Sequence, residues 1–139
     1  MVMNRVVKKI LVVDDAKDIN QMISNFLRKK EFDVTSVHNG SEAIEAMKQK
    51  EFDLMLLDII MPEQDGFDVL VYMQEENKKI PTIGISGGGM AISGDVALKA
   101  VQAQVDHILE KPFSPEKLMS VIDQIEGNDA QTNSNSKTA

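Results

Sequence analysis

Five residues with chemical capacity stand directly behind four apolar runs. Asp14 and Asp15 close "ILVVDD", Asp58 closes "FDLMLLD", Ser86 closes "IPTIGIS", and Lys111 follows "DHILE". Three carboxylates, a hydroxyl and an amine are a reactive set if the fold gathers them. Two carboxylates about 5 Å apart repel by roughly 3 kcal/mol at an effective dielectric near 20. A cluster of three therefore calls for a cation. All-oxygen donors, few of them from the protein, suit Mg²⁺, which retains waters and favours a phosphate partner. Lys111 adds a second positive charge, so the set expects a dianionic guest beside a metal.

Each residue also has an ordinary explanation. Asp14 or Asp15 could cap a helix, and Asp58 could serve a turn before Pro62. Ser86 could bond its own loop, and Lys111 could be a solvated charge. All of these would have to hold at once, at the ends of separate strands, for the cluster to be incidental.

The elements that must position these residues alternate in period. The runs "KKILVVD", "FDVTSV", "FDLMLLD", "IPTIGIS" and "DHILE" read as strands, and Leu54 to Leu57 is apolar at every position, as in a strand buried on both faces. Between them lie helical spacings: Ile19, Met22, Ile23, Phe26, Leu27; Ala43, Ile44, Met47; Val69, Leu70, Met73; and Leu118, Val121, Ile122, Ile125. A weaker helical stretch runs from Asp95 to Gln104. Ser41 is the expected cap of the second helix, and Ser114-Pro115 opens the last. Five βα units in series predict an α/β fold, a doubly wound parallel sheet with helices on both faces. In such folds ligands sit beyond the carboxyl ends of the strands.

The chain has 139 residues, 42% of them apolar, enough for one domain with its own core. Residues 1–7 read as an N-terminal lead, 8–126 as the domain, and 127–139 as a disordered polar tail. With no cysteine, disulfides and thiolate metal sites are excluded. No stretch is long and apolar enough for a signal peptide or a membrane span, so the expected setting is cytoplasmic with no membrane partner. A net charge of −7, from 22 acidic and 15 basic residues, opposes unspecific nucleic-acid binding, and none is expected. Two histidines, His38 and His107, are too few for a histidine metal centre.

In order along the chain, "ILVVDD", "LMLLDIIMPEQDG", "IGIS" and "ILEKPF" resemble the receiver domain of two-component response regulators, over residues 8–126. That resemblance implies a flavodoxin-like five-stranded sheet of order 2-1-3-4-5, which sets Asp15 beside Asp58. It implies that Asp58 accepts a phosphoryl group from a histidine kinase phosphohistidine, or within a phosphorelay from a histidine phosphotransfer protein. Asp15 would hold Mg²⁺ directly and Asp14 through water, with Asp58 and the backbone carbonyl of Ile60 completing the protein donors. Lys111 would pair with the phosphoryl oxygens and Ser86 would bond one of them. Lys111-Pro112 would be a cis peptide.

The same resemblance implies a switch and output face. It runs over the helical stretch before the fifth strand, that strand and the last helix, and includes Gly87, Lys99, Gln102, Ile108 and Lys117. Output would pass to a protein effector, with no output domain after residue 126. Position 108 usually holds an aromatic or histidine in the family; Ile108 is aliphatic, which departs from the usual coupling. Ile60 and Gly88 occupy positions that tune phosphoryl lifetime, and neither can orient a water, so self-catalysed dephosphorylation is expected to be slow.

Two other functions are weighed against this one. An aspartyl-phosphate hydrolase would want a second aspartate two residues after Asp58, where Ile60 stands. A nucleotide or flavin binder would want glycines or hydroxyls after the first strand, where "VVDDAKD" is acidic. A non-enzymatic signalling switch fits the residues better than either. The glycines of "GISGGGMAIS" then read as a hinge after Ser86 rather than a phosphate cradle.

Overall fold

A computed structural model of the chain describes residues 6–59, 61, 65–87 and 104–138, the last eleven of these and Asp65 by backbone alone. Ile60, residues 88–94, Lys99, Gln102 and most of the expected helix from Asp95 lie outside the described residues. The elements are β1 (Lys9–Val13), α1 (Lys17–Lys29), β2 (Asp33–Val37), α2 (Gly40–Gln49) and β3 (Leu54–Asp58). They continue with α3 (Asp65–Glu75), β4 (Thr82–Ser86), β5 (His107–Glu110) and α4 (Pro115–Thr138).

All five strands are parallel and lie in the order β2-β1-β3-β4-β5, the flavodoxin-like order. Strands β3 and β4 are buried at every residue, as continuous apolar runs require of a sheet covered on both sides. Alternation of side chains then divides the core in two. On one face Ile10, Val12, Leu54, Leu56, Ile83 and Ile85 pack with Ile23 and Leu27 of α1 and Leu118, Val121 and Ile122 of α4. On the other, Leu11, Val13, Met55 and Leu57 pack with Ala43 and Met47 of α2 and Val69, Leu70 and Met73 of α3.

Two local expectations are corrected. The cap of α2 is Asn39, not Ser41: its side chain accepts from Glu42 N–H at 2.8 Å, while Glu42 Oε1 accepts from His38 N–H at 2.8 Å. Asn39 holds the extended backbone that a cap needs, whereas Ser41 is already inside the helix. At the ends of the domain, Val7 is buried in the core and donates its N–H to Glu126 Oε2 at 3.1 Å, and helix α4 runs on to Thr138.

The second correction concerns α1. Its buried face is Asn20, Ile23, Ser24 and Leu27, while Met22 is 58% exposed and Ile19 and Phe26 are only partly buried. Two polar residues therefore occupy the stripe that apolar spacing assigned to Ile19, Met22 and Phe26. By contrast, the opening of α4 is as expected, with Ser114 Oγ accepting from Lys117 N–H at 3.0 Å.

Candidate functional site

Register brings the acids together. Val13 pairs with Leu57, so the next residues along, Asp14 and Asp58, lie side by side at the carboxyl edge of the two central strands. Asp14, rather than Asp15, is thus the strand neighbour of Asp58. Asp15 sits one residue further out and is exposed, whereas Asp14 and Asp58 are buried. Carboxylate oxygens of all three nonetheless lie within 4.8 Å of one another.

Lys111 enters from the end of β5. Its Nζ stands 3.4 Å from Asp58 Oδ2, to which it donates a hydrogen bond, and 3.5 Å from Asp14 Oδ2. Strand pairing sets this position: Lys111 N–H donates to Ser86 C=O at 2.8 Å, continuing the β4–β5 ladder by one bond. The Lys111–Pro112 peptide is cis. Among the described residues, one ammonium thus pairs with two of the three clustered carboxylates, leaving a net negative site.

Each oxygen of Asp14 has a different environment. Oδ1 accepts the Ala16 N–H at 2.9 Å, which shapes the β1–α1 turn. Oδ2 is buried and accepts no hydrogen bond among the described residues; its nearest partner is the charge of Lys111. An ionised oxygen with no donor in a buried setting is costly unless a cation completes it. A buried carboxylate oxygen without a hydrogen bond and an all-carboxylate cluster among the described residues together fit a hard divalent cation such as Mg²⁺.

Ser86 is buried at the end of β4, on the strand beside Asp58, which pairs with Ile85. Gly87 follows it, and among the described residues a methyl added there would meet nothing within 4 Å. Ile108 lies on β5 opposite Gly84 and is 39% exposed. Lys117 is exposed on the first turn of α4.

Three residues to which the sequence reading gave no role shape the site. At Gly66 a Cβ would lie 2.7 Å from the Asp58 carbonyl oxygen and 2.8 Å from that of Ile59, so α3 can approach the acidic strand end only without a side chain. At Gly84 a Cβ would lie 2.6 Å from Ile59 Cδ1 and 3.3 Å from Ile108 Cδ1, so two isoleucines fill the space over a bare strand position. Asn20, fully buried on α1, bonds the carbonyls of Asp14 and Val37. A polar residue at i−3 and i−7 from Ile23 and Leu27 was the available signal for Asn20.

The family model described as the response regulator receiver domain matches residues 10–123. The chain belongs to that family. Receiver domains are the phosphoaccepting signalling modules of two-component response regulators, which work with histidine kinases and downstream effectors. Among curated proteins, the transcriptional regulatory protein ResD of Bacillus subtilis is 32% identical over 111 residues, covering 80% of this chain and 45% of ResD. The response regulator protein PilR of Pseudomonas aeruginosa is 31% identical over 115 residues, covering 83% of this chain and 25% of PilR. The receiver thus spans less than half the length of either relative.

Solved receiver domains share the fold. The receiver domain of Francisella response regulator 1452 superposes with a TM-score of 0.73 at 28% identity, covering 88% of this chain and 98% of that one. The receiver domain of AraT from Geobacillus stearothermophilus gives 0.74 at 27% identity, covering 91% and 98%. Among the described residues no helix of the receiver is long and apolar enough to cross a membrane.

Proposed function

We propose that Asp58 is the phosphoacceptor of this receiver and that a phosphohistidine on a histidine kinase or phosphotransfer protein is the donor. The observation that carries the reading is the crowding of Asp14, Asp15 and Asp58 within 4.8 Å of one another, with the Lys111 ammonium within 3.5 Å of Asp14 and Asp58 and no hydrogen bond to Asp14 Oδ2 among the described residues. In the transfer a carboxylate oxygen of Asp58 forms the new O–P bond as the N–P bond to the donor imidazole breaks. The imidazole leaves with the bonding pair and takes up a proton from solvent.

Such transfers depend on position and charge neutralisation more than on covalent help from the protein. Lys111, already on Asp58 at 3.4 Å, supplies a cation for the incoming phosphoryl oxygens. Asp14, Asp15 and Asp58 are the side chains that would hold Mg²⁺, joined by the Ile60 carbonyl that the resemblance assigns. Bound there, Mg²⁺ would neutralise the acids and the phosphoryl oxygens together. Ser86, one strand over, offers a hydroxyl to a phosphoryl oxygen. Signalling then passes through the face that carries Ile108 and Lys117, together with Lys99 and Gln102, to a protein effector.

Incubation with Mg²⁺ and acetyl phosphate or phosphoramidate, followed by intact mass, tests the assignment. One added phosphoryl group is expected on the wild-type chain and none on Asp58→Asn. An adduct that persists in Asp58→Asn would assign the acceptor elsewhere.

A further inference from the structure

We propose that Asn20 is a positioning residue for the acidic site, tethering the β1–α1 turn so that Asp14 and Asp15 stay close to Asp58 against their mutual repulsion. The inference rests on the reading of the acids as a Mg²⁺ site.

Asn20 is fully buried on the first turns of α1, six residues beyond Asp14. Its Nδ2 donates to the Asp14 carbonyl at 3.0 Å and to the Val37 carbonyl at 2.8 Å. Its Oδ1 accepts from Ser24 Oγ at 3.1 Å and from Ser36 Oγ. Both donors and both acceptor positions of the amide are therefore in use. The Asp14 N–H also donates to Val37 C=O, at 3.2 Å. One side chain thus joins the end of β1, the end of β2 and the body of α1.

The two halves of this amide have different consequences. The Oδ1 half bonds hydroxyls on α1 and β2 and adds packing order there. The Nδ2 half holds the carbonyl of Asp14, and with it the plane of the Asp14–Asp15 peptide from which the Asp15 side chain departs. Three carboxylates within 4.8 Å push that turn away from β3. Main-chain bonds at the turn are few: Asp14 N–H to Val37 and Asn20 N–H to Ala16. The Asn20 amide is the side-chain bond to the Asp14 carbonyl that resists the push. Partners one step behind the ligands commonly set metal affinity, and their loss costs about 10–100-fold.

The test is a Mg²⁺ titration followed by calorimetry or amide chemical shifts, on protein that has not been phosphorylated. Asn20→Ala is expected to weaken Mg²⁺ binding by about 10–100-fold. Asn20→Ser, whose one hydroxyl cannot serve both carbonyls, is expected to weaken it by about tenfold and decides the matter if the alanine variant does not fold. Ser36→Ala, which leaves both Nδ2 bonds, and Ile23→Val, which perturbs the adjacent core of α1, are expected to stay within about twofold. Unchanged affinity in Asn20→Ser or a folded Asn20→Ala, or an equal loss in Ile23→Val, would overturn the positioning role. If wild-type protein binds no Mg²⁺, the metal reading falls and this inference with it; if it binds and the Asn20 variants match it, only the inference falls.

Discussion

Aspartates stand at both edges of this sheet, and the two edges use them in opposite ways. At the amino edge, Asp53 Oδ2 accepts the backbone N–H groups of Lys8 and Lys9 at 3.0 and 2.9 Å, and Asp106 Oδ2 accepts that of Thr82 at 2.7 Å. Those carboxylates are taken up by the first amides of β1 and β4, which have no ladder partner of their own. At the carboxyl edge the strands present carbonyls, which offer a carboxylate nothing. Asp14 Oδ2 accordingly has no hydrogen-bond donor among the described residues, and it shares Lys111 with Asp58. Chain direction thus favours a self-satisfied amino end and a carboxyl end receptive to a cation, although there too one oxygen, Asp14 Oδ1, accepts the Ala16 N–H of the following turn at 2.9 Å.

That contrast predicts effects of opposite sign. With Mg²⁺ at about 100 times its dissociation constant the wild-type protein should gain about 2.7 kcal/mol of stability, read as an upward shift of the unfolding midpoint. The gain should largely vanish in Asp15→Asn; an equal gain there would place the cation elsewhere. At the amino edge, Asp53→Ala should lose about 1.5 kcal/mol with or without Mg²⁺, since it strands two N–H groups. Urea unfolding measures this, and no loss would mean that water replaces the carboxylate fully. The smallest effect is expected in metal-free protein, where Asp15→Asn should be more stable than wild type by about 1 kcal/mol, the repulsion of an exposed charge near 5 Å in water. A loss of stability in that variant would end the claim that the carboxyl edge carries uncompensated repulsion.

Strand identity and the placement of Asp58, Ser86 and Lys111 at strand ends were legible because each rests on a local pattern, whereas the order of the strands was implied by the resemblance. Continuous apolar runs mark Leu54 to Leu57 and Ile83 to Ile85, and Asp58, Ser86 and Lys111 fall just where those runs and "HILE" stop. What was not legible depends on contacts between distant segments. Asn20 looks like an exposed polar residue beside an apolar stripe, and only the proximity of Val37 and Ser36 shows that burial satisfies it. The choice of Asn39 over Ser41 as a cap turns on a backbone angle that both residue types tolerate. Gly66 belongs to a motif that was noticed, but the reason for it, the carbonyls of Asp58 and Ile59, lies eight and seven residues back across a turn.

The glycine opposite Ile108 has a consequence for how this domain can vary. Ile59, Gly84 and Ile108 come from β3's end, β4 and β5, and their side-chain volumes share one space. A methyl group gained at 84 must be removed at 59 or displaced at 108. Because Ile59 follows Asp58 directly and its N–H is held by Ile85 C=O at 2.9 Å, displacement on that side reaches the acidic strand end. The three positions therefore behave as one volume-conserving unit: changes made singly are overpacked or underfilled, and a larger ring at 108 is best accommodated while 84 remains bare.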